Sequence, residues 1–365
     1  MRRSPLAKLI AYLLRMVILG IGVGAIAGTV LSVIAPNGYR FQPASAPNPP
    51  SVASATTISS AVGLPSALKL SQEITPLKQS VMALAAQNPG LTFGVFLEDL
   101  DSGVYLDING TRTFAAASMI KVPVLVAFFQ DVDAGKIALS EKLTMRKDLI
   151  ASEAGSMQYQ PVGTKFSALE TATQMIVVSD NTATNMLIDR LGGIENLNER
   201  FRAWGLTNTE INNPLPDLKG TNISTPRDFA NLMALVSQGK LLSMKSRDRM
   251  LAIMRQTVTN TLLPQGLGDG ATISHKTGDI GTFVGDVGLI DMPNGKRYVA
   301  TAIVKRPFND PRAQELIRQT SRAAYKYLNT TAPASPTPTQ APIAAPNSSA
   351  SAASTPSSTP LVTEP

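Results

Sequence analysis

Residues 271 to 305, ATISHKTGDIGTFVGDVGLIDMPNGKRYVATAIVK, hold three apolar runs of strand length: Ala271 to Thr277, Thr282 to Ile290 and Arg297 to Lys305. Met292-Pro-Asn-Gly295 joins the last two, since Asn-Gly tolerates the positive φ of a tight hairpin. Short links between consecutive strands make this a meander. Upstream, Leu91 to Glu98 and Val104 to Ile108 alternate around Asp101-Ser-Gly103, the pattern of a second hairpin. The stretch between the two strand groups is helical. Ser167-Ala-Leu-Glu170 is a capping box opening a helix to about Val178. Asn181 to Leu191 reads as the next helix, stopped by Gly192-Gly193, so Ser179-Asp180-Asn181 sits at a helix-to-helix turn. Thr225-Pro-Arg-Asp228 supplies an N-cap, a proline and an acidic third position before Phe229 to Val236. Thr75-Pro76 does the same for a helix to about Gln87, and a final helix covers about Arg312 to Tyr327. Two strands early, three late and helices between predict an α/β fold. The pattern predicts one five-stranded antiparallel sheet built from both ends of the domain and flanked by helices, with an all-α lobe inserted.

Three short segments place chemistry on this frame: Ser118-Met119-Ile120-Lys121, Ser179-Asp180-Asn181 and Lys276-Thr277-Gly278. Ser-x-x-Lys alone is uninformative, because Ser66-Ala-Leu-Lys69 and Ser237-Gln-Gly-Lys240 fit it equally well. Ser-Asp-Asn and Lys-Thr-Gly are each expected by chance in under about one chain in ten, so all three in order form a constellation. A serine hydroxyl needs a nearby base to act as a nucleophile. If Ser118 opens a helix, Lys121 stands at i+3 on the same face, within reach of its oxygen. The lysine is a base only if burial or a second cation, here Lys276, lowers its pKa. Pro123 is expected to perturb the helix just after its first turn.

With these motifs the sequence resembles the penicillin-recognising serine enzymes, and within them the class A β-lactamases. The likeness spans roughly 76–329 and extends to the apolar run Phe114-Ala-Ala-Ala before Ser118 and to Thr182-Ala-Thr-Asn185 after Ser-Asp-Asn. It implies an α/β/α sandwich with an α lobe and a serine hydrolase that opens a β-lactam through an acyl-enzyme on Ser118. Ser179 would pass a proton to the leaving nitrogen, with Lys276 holding its hydroxyl. Asn181 would bind the substrate amide and Thr277 its carboxylate, Gly278 would admit the substrate backbone, and Asp180 would tie down the turn. The oxyanion hole would be the amides of Ser118 and Asp279. The departure lies in deacylation. The water-holding glutamate of class A enzymes has only Thr209-Glu210-Ile211-Asn212-Asn213 to correspond to it, with Glu210 and Asn213 three apart. Nor is there an identified arginine opposite Lys276. Glu210 as base makes a hydrolase. Without it the chain would behave as a D-Ala-D-Ala peptidase-like penicillin-binding protein acting on the peptidoglycan stem peptide. A non-catalytic wall-binding module is the third alternative.

Composition limits the other classes. The chain has 365 residues, no cysteine and one histidine, His275, which excludes thiol chemistry and disulfides and leaves no His-rich metal site. His275 alternates with Lys276 along the strand and so faces the other way. No metal or organic cofactor is called for. The net charge of +7 falls almost to balance between the ends, with 28 basic against 25 acidic residues, so nucleic acid is not an expected partner. Residues 16–35 form an uncharged run of membrane-spanning length behind Arg2, Arg3, Lys8 and Arg15. It reads as an uncleaved signal-anchor with a cytoplasmic stub (1–35), N-terminus inside a bacterial cytoplasmic membrane and the catalytic domain outside; Ala44-Ser-Ala46 offers a cleavage site instead. Gly20, Gly24 and Gly28 fit a helix-dimerisation pattern, for which the abundance of glycine in membrane helices is the plainer account. A Pro/Ala/Ser-rich linker (36–66), the hydrolase domain (67–329) and a disordered Ala/Ser/Thr/Pro-rich tail (330–365) complete the expected organisation.

Overall fold

A computed structural model of the chain describes residues 64–330. The expected membrane segment, most of the linker and all but the first residue of the tail lie outside the described residues. Among the described residues no helix is long and apolar enough to cross a membrane.

Strands β1 (Thr92–Asp99) and β2 (Tyr105–Ile108) form the early hairpin, and β7 (Thr272–Asp279), β8 (Phe283–Asp291) and β9 (Arg297–Lys305) form the late meander. They join into one five-stranded sheet in the order β2-β1-β9-β8-β7, antiparallel throughout. The junction of the two chain ends is the β1–β9 pairing, with Val95 opposite Ala302. The two-residue strands β3 (Phe114–Ala115) and β6 (Ile223–Ser224) pair, as do β4 (Lys142–Thr144) and β5 (Lys165–Ser167).

Helices α1 (Thr75–Ala86) and α8 (Arg312–Thr330) cover one face of the sheet. There Val95, Leu97, Val284 and Ala300 pack against Leu77, Val81, Leu316 and Ile317. The other face, with Phe96, Val287, Leu289 and Ile303, packs against α6 (Pro226–Ser237), and α2 (Lys121–Asp133) starts from a turn, Ala117–Ile120, that lies against β7 and β8. The α lobe adds α3 (Ala168–Val177), α4 (Asn181–Arg190), α5 (Gly193–Ala203) and α7 (Met244–Met254).

The expected caps at Ser167 and Thr225 form: Ser167 Oγ accepts from Glu170 N at 3.1 Å and Thr225 Oγ1 from Asp228 N at 3.0 Å. Two local expectations are corrected. Ile74, not Thr75, occupies the cap of α1, which has no side-chain cap bond. Ser118 lies in a 3₁₀ turn, Ala117–Ile120, and α2 begins only at Lys121. Pro123 therefore falls in the first α-helical turn, where its missing N–H has no intrahelical partner to lose.

Candidate active site

Ser118 stands half-buried in the 3₁₀ turn that leads into α2, against the open edge of β7. Gly278 allows this approach, because a Cβ there would lie 2.9 Å from Ser118 N and 2.9 Å from Ala117 Cβ. Ala117 and Ser179 both take left-handed backbone, φ 46° and 59°, at the two turns that present the site serines. Non-glycine residues pay for that conformation, and such strain concentrates where a side chain must be aimed.

Lys121 is buried at the start of α2 and reaches across to the α3–α4 turn. Its Nζ donates to Ser179 O at 2.6 Å, Ser179 Oγ at 3.0 Å and Asn181 Oδ1 at 2.8 Å. All three close contacts of Nζ are thus made with Ser179 and Asn181, and none goes to Ser118 as the i+3 spacing had suggested. The 3₁₀ turn displaces Ser118 from the regular helical face, and the buried Lys121 amine takes the acceptors that enclose it. Burial, then the neighbouring Lys276 charge, pushes the Lys121 pKa well below the ordinary lysine range, opposed by Asp180. Lys276 is also buried, which lowers its pKa to about 8 against an opposing pull from Asp286. Its Nζ donates to Thr277 O at 2.8 Å rather than to the Ser179 hydroxyl, which is bonded to Lys121 instead.

The sheet register aims a second amide at Ser118. Ile280 N donates to Phe283 O, so these two residues form a hydrogen-bonded pair. Antiparallel pairs alternate, and Asp279 opposite Val284 is therefore a non-bonded pair whose N–H points away from β8, out of the free edge of β7. Ser118 N lies in the first turn of its 3₁₀ segment, free of helical carbonyls. Both amides open on a cavity of about 380 Å³ lined by Ser118, Asn181, Leu215, Asp217, Asp279 and Phe308, among others.

Asp180 turns away from this cavity. Its carboxylate caps α4 through Ala183 N at 2.9 Å and holds Met157 N at 2.9 Å. Asn181 Nδ2 donates to Ser152 O at 2.7 Å, fixing the amide that Lys121 contacts. His275 lies on the other face of the sheet, buried, with Nδ1 3.1 Å from Asp286 Oδ1. The remaining Ser-x-x-Lys serines are elsewhere, Ser66 bonded to Asn231 on the N-terminal strap and Ser237 at the end of α6.

Glu210 is not brought to the cavity. It forms an antiparallel bridge with Ile223, and its neighbours Thr209 and Ile211 point inward, so alternation leaves the Glu210 carboxylate exposed. The loop after it supplies Leu215, Pro216, Asp217 and Leu218 to the cavity wall instead. Asn185 fixes that loop, donating to Leu215 O at 2.7 Å and accepting from Leu215 N at 2.9 Å. Glu153, Ile280 and Asn309 also line the cavity and carried no motif. Asn185, four residues after Asn181 on one helix face, was the available signal for the loop.

Ser118 and Asn181 line the cavity with Asp279, the residue after Lys276-Thr277-Gly278, and the fold around them was compared with known proteins. The beta-lactamase enzyme family model matches residues 76–328. The chain belongs to this family. A beta-lactamase of Rhodobacter capsulatus is 27% identical over 244 residues, covering 63% of this chain and 81% of its own. Beta-lactamase VEB-1 of Pseudomonas aeruginosa is 26% identical over 216 residues, covering 54% and 72%. Among solved structures, PBP-A is 58% identical with a TM-score of 0.71, covering 72% of this chain and all (100%) of its own. A mutant of PBP-A, solved as an acyl-enzyme complex with penicillin G, gives the same values of 58% and 0.71. A beta-lactamase from Sphaerobacter thermophilus is 28% identical with a TM-score of 0.64, covering 71% and 99%. Membership in the beta-lactamase family makes the protein a β-lactamase-like hydrolase with the α/β transpeptidase-like fold.

Proposed function

We propose that Ser118 is the nucleophile of a class A-type serine hydrolase that opens β-lactams. The observation that carries this reading is the Lys121 link to Ser179 Oγ, which joins a buried lysine of lowered pKa to the second site serine. Neutral Lys121 takes the Ser118 proton as Oγ bonds to the lactam carbonyl carbon. The resulting oxyanion is held by the Ser118 and Asp279 amides. Collapse breaks the C–N bond, and the nitrogen takes a proton from Ser179, which Lys121 restores. Lys276 supplies positive field, Asn181 binds the acyl amide and Thr277 the substrate carboxylate. Water then cleaves the ester and regenerates Ser118.

One observation favours a second reading for the natural substrate. The cavity wall nearest the loop is Leu215, buried and apolar, and Glu210 is exposed on the other side of its bridge. General base assistance is worth about 10²–10⁴ in rate, so a cleft that Glu210 does not serve is expected to deacylate more slowly than it acylates. A D-Ala-D-Ala peptidase-like enzyme of peptidoglycan with a slow β-lactamase step fits this, and the 58% likeness to PBP-A supports it. The basic residues before the uncharged 16–35 run support anchoring in the cytoplasmic membrane with the cleft outside.

The experiment is stopped-flow and steady-state hydrolysis of a chromogenic cephalosporin by the full chain, with intact mass in parallel and Ser118→Ala as control. Sustained turnover lost in the control supports the hydrolase. A burst leaving one stable adduct supports the peptidase, and no adduct at all leaves a wall-binding module. Glu210→Gln is expected to leave the hydrolysis rate unchanged.

A further inference from the structure

Arg306 follows β9 in the chain, yet its side chain enters the active-site wall. The guanidinium is 1% exposed. Nη2 donates to Asp279 Oδ1 at 2.5 Å and Nε to Gly281 O at 2.9 Å, while Nη1 reaches Asp310 O at 3.3 Å. The same Asp279 oxygen accepts from Gly281 N at 2.9 Å, and Asn309 N donates to Gly281 O at 2.9 Å. One buried cation therefore ties together the end of β7, the β7–β8 turn and the segment after β9. Asp279, Gly281, Phe308 and Asn309, four residues of that assembly, line the cavity beside Ser118.

We infer that Arg306 is a positioning residue for acylation: it holds the β7–β8 turn so that the Asp279 amide stays aimed at the carbonyl attacked by Ser118. The inference rests on the acyl-enzyme reading above. Asp279 N–H lies one pair from the β7–β8 turn, at a free strand edge, and has no strand carbonyl of its own to hold its direction. The forked guanidinium supplies the missing restraint from outside the sheet. Lysine cannot substitute, because a single ammonium does not match two acceptors in the plane of a fork. A buried charge also penalises any rearrangement that strips its partners, so the arrangement is stiff. This arginine contacts Asp279 and not Lys276, so its contribution is geometric rather than a site for the substrate carboxylate.

The test measures acylation of the full chain by a chromogenic cephalosporin across substrate concentration, separating the first-order acylation constant from the preceding dissociation constant, with thermal midpoints alongside. R306K is expected to lower the acylation constant by about tenfold or more, since loss of an oxyanion donor costs about 10²–10³. The dissociation constant should change by less than about threefold. D279A leaves the buried guanidinium without its carboxylate, so its thermal midpoint is read beside its acylation constant, which should show a similar loss. The double variant should lose little more than either alone, because both act through one contact. R306K with a wild-type acylation constant, at whatever thermal midpoint, overturns the inference. So does D279A at the wild-type value. Absence of any Ser118-dependent adduct in the wild-type chain overturns the acylation reading and this inference together, which separates the two failures.

Discussion

At the scale of single residues the site is governed by two buried lysines of different duty. Lys276 titrates at about 8, lowered by burial and partly restored by Asp286, so it is charged at neutral pH and loses its charge above that value. Lys121, lowered further by burial and by the Lys276 charge, gains its lone pair at lower pH. In the proposed mechanism acylation uses neutral Lys121 and charged Lys276. The acylation rate should therefore rise as pH climbs through the Lys121 value and fall again through about 8. A pH–rate profile of acylation checks this, and Lys276→Arg should move the alkaline limb upward because a guanidinium does not titrate there. Both lysines were legible in the sequence. Their partners were not: Ser-x-x-Lys spacing suggested Ser118 as the contact of Lys121, and the 3₁₀ turn redirected it to Ser179 and Asn181.

At the scale of elements, Asp180 couples the second motif to the cavity rim. It caps α4 and holds Met157 N, and Gly155 packs so closely on it that a Cβ would overlap the carboxylate. The segment so pinned carries Glu153 and Ala154, both on the cavity wall. Asp180→Ala removes a cap and leaves a buried N–H unpaired, together about 2–4 kcal/mol of stability. Urea unfolding should show that loss. Asp180→Asn, which keeps one acceptor for the cap, should lose less. The helix starts, the hairpins and the caps at Ser167 and Thr225 followed from local pattern because each is settled within about four residues. Glu210 did not follow. Its residue type suited a base, but which way an extended loop residue faces depends on a bridge to Ile223, thirteen residues on.

For the whole molecule, residues 64–71 form a strap tied to three elements. Leu64 N bonds Ala203 O at 2.9 Å, Ala67 N bonds Asn231 Oδ1 at 2.8 Å and Lys69 N bonds Glu98 Oε1 at 2.6 Å. Glu98 is fully buried in β1, and burial raises its pKa, so Lys69 N is a partner it cannot replace with water. A chain beginning at Leu64 should fold. One beginning at Thr75 should be less stable by about 3 kcal/mol or more from the lost bonds alone, measured by denaturant unfolding. The expected domain start at residue 67 would cut Leu64 and Ser66 from the strap. The order of strands and helices, the exclusion of thiol and His-rich metal chemistry, and the three motifs were all determined by the sequence, since each depends on composition or on neighbours along the chain. Tertiary structure alone decided that β1 pairs with β9, that Leu215 and not Glu210 lines the cavity with Ser118, and that Arg306 reaches Asp279. Those contacts join residues far apart in sequence, and the free energy that selects them is burial and hydrogen bonding in the assembled fold.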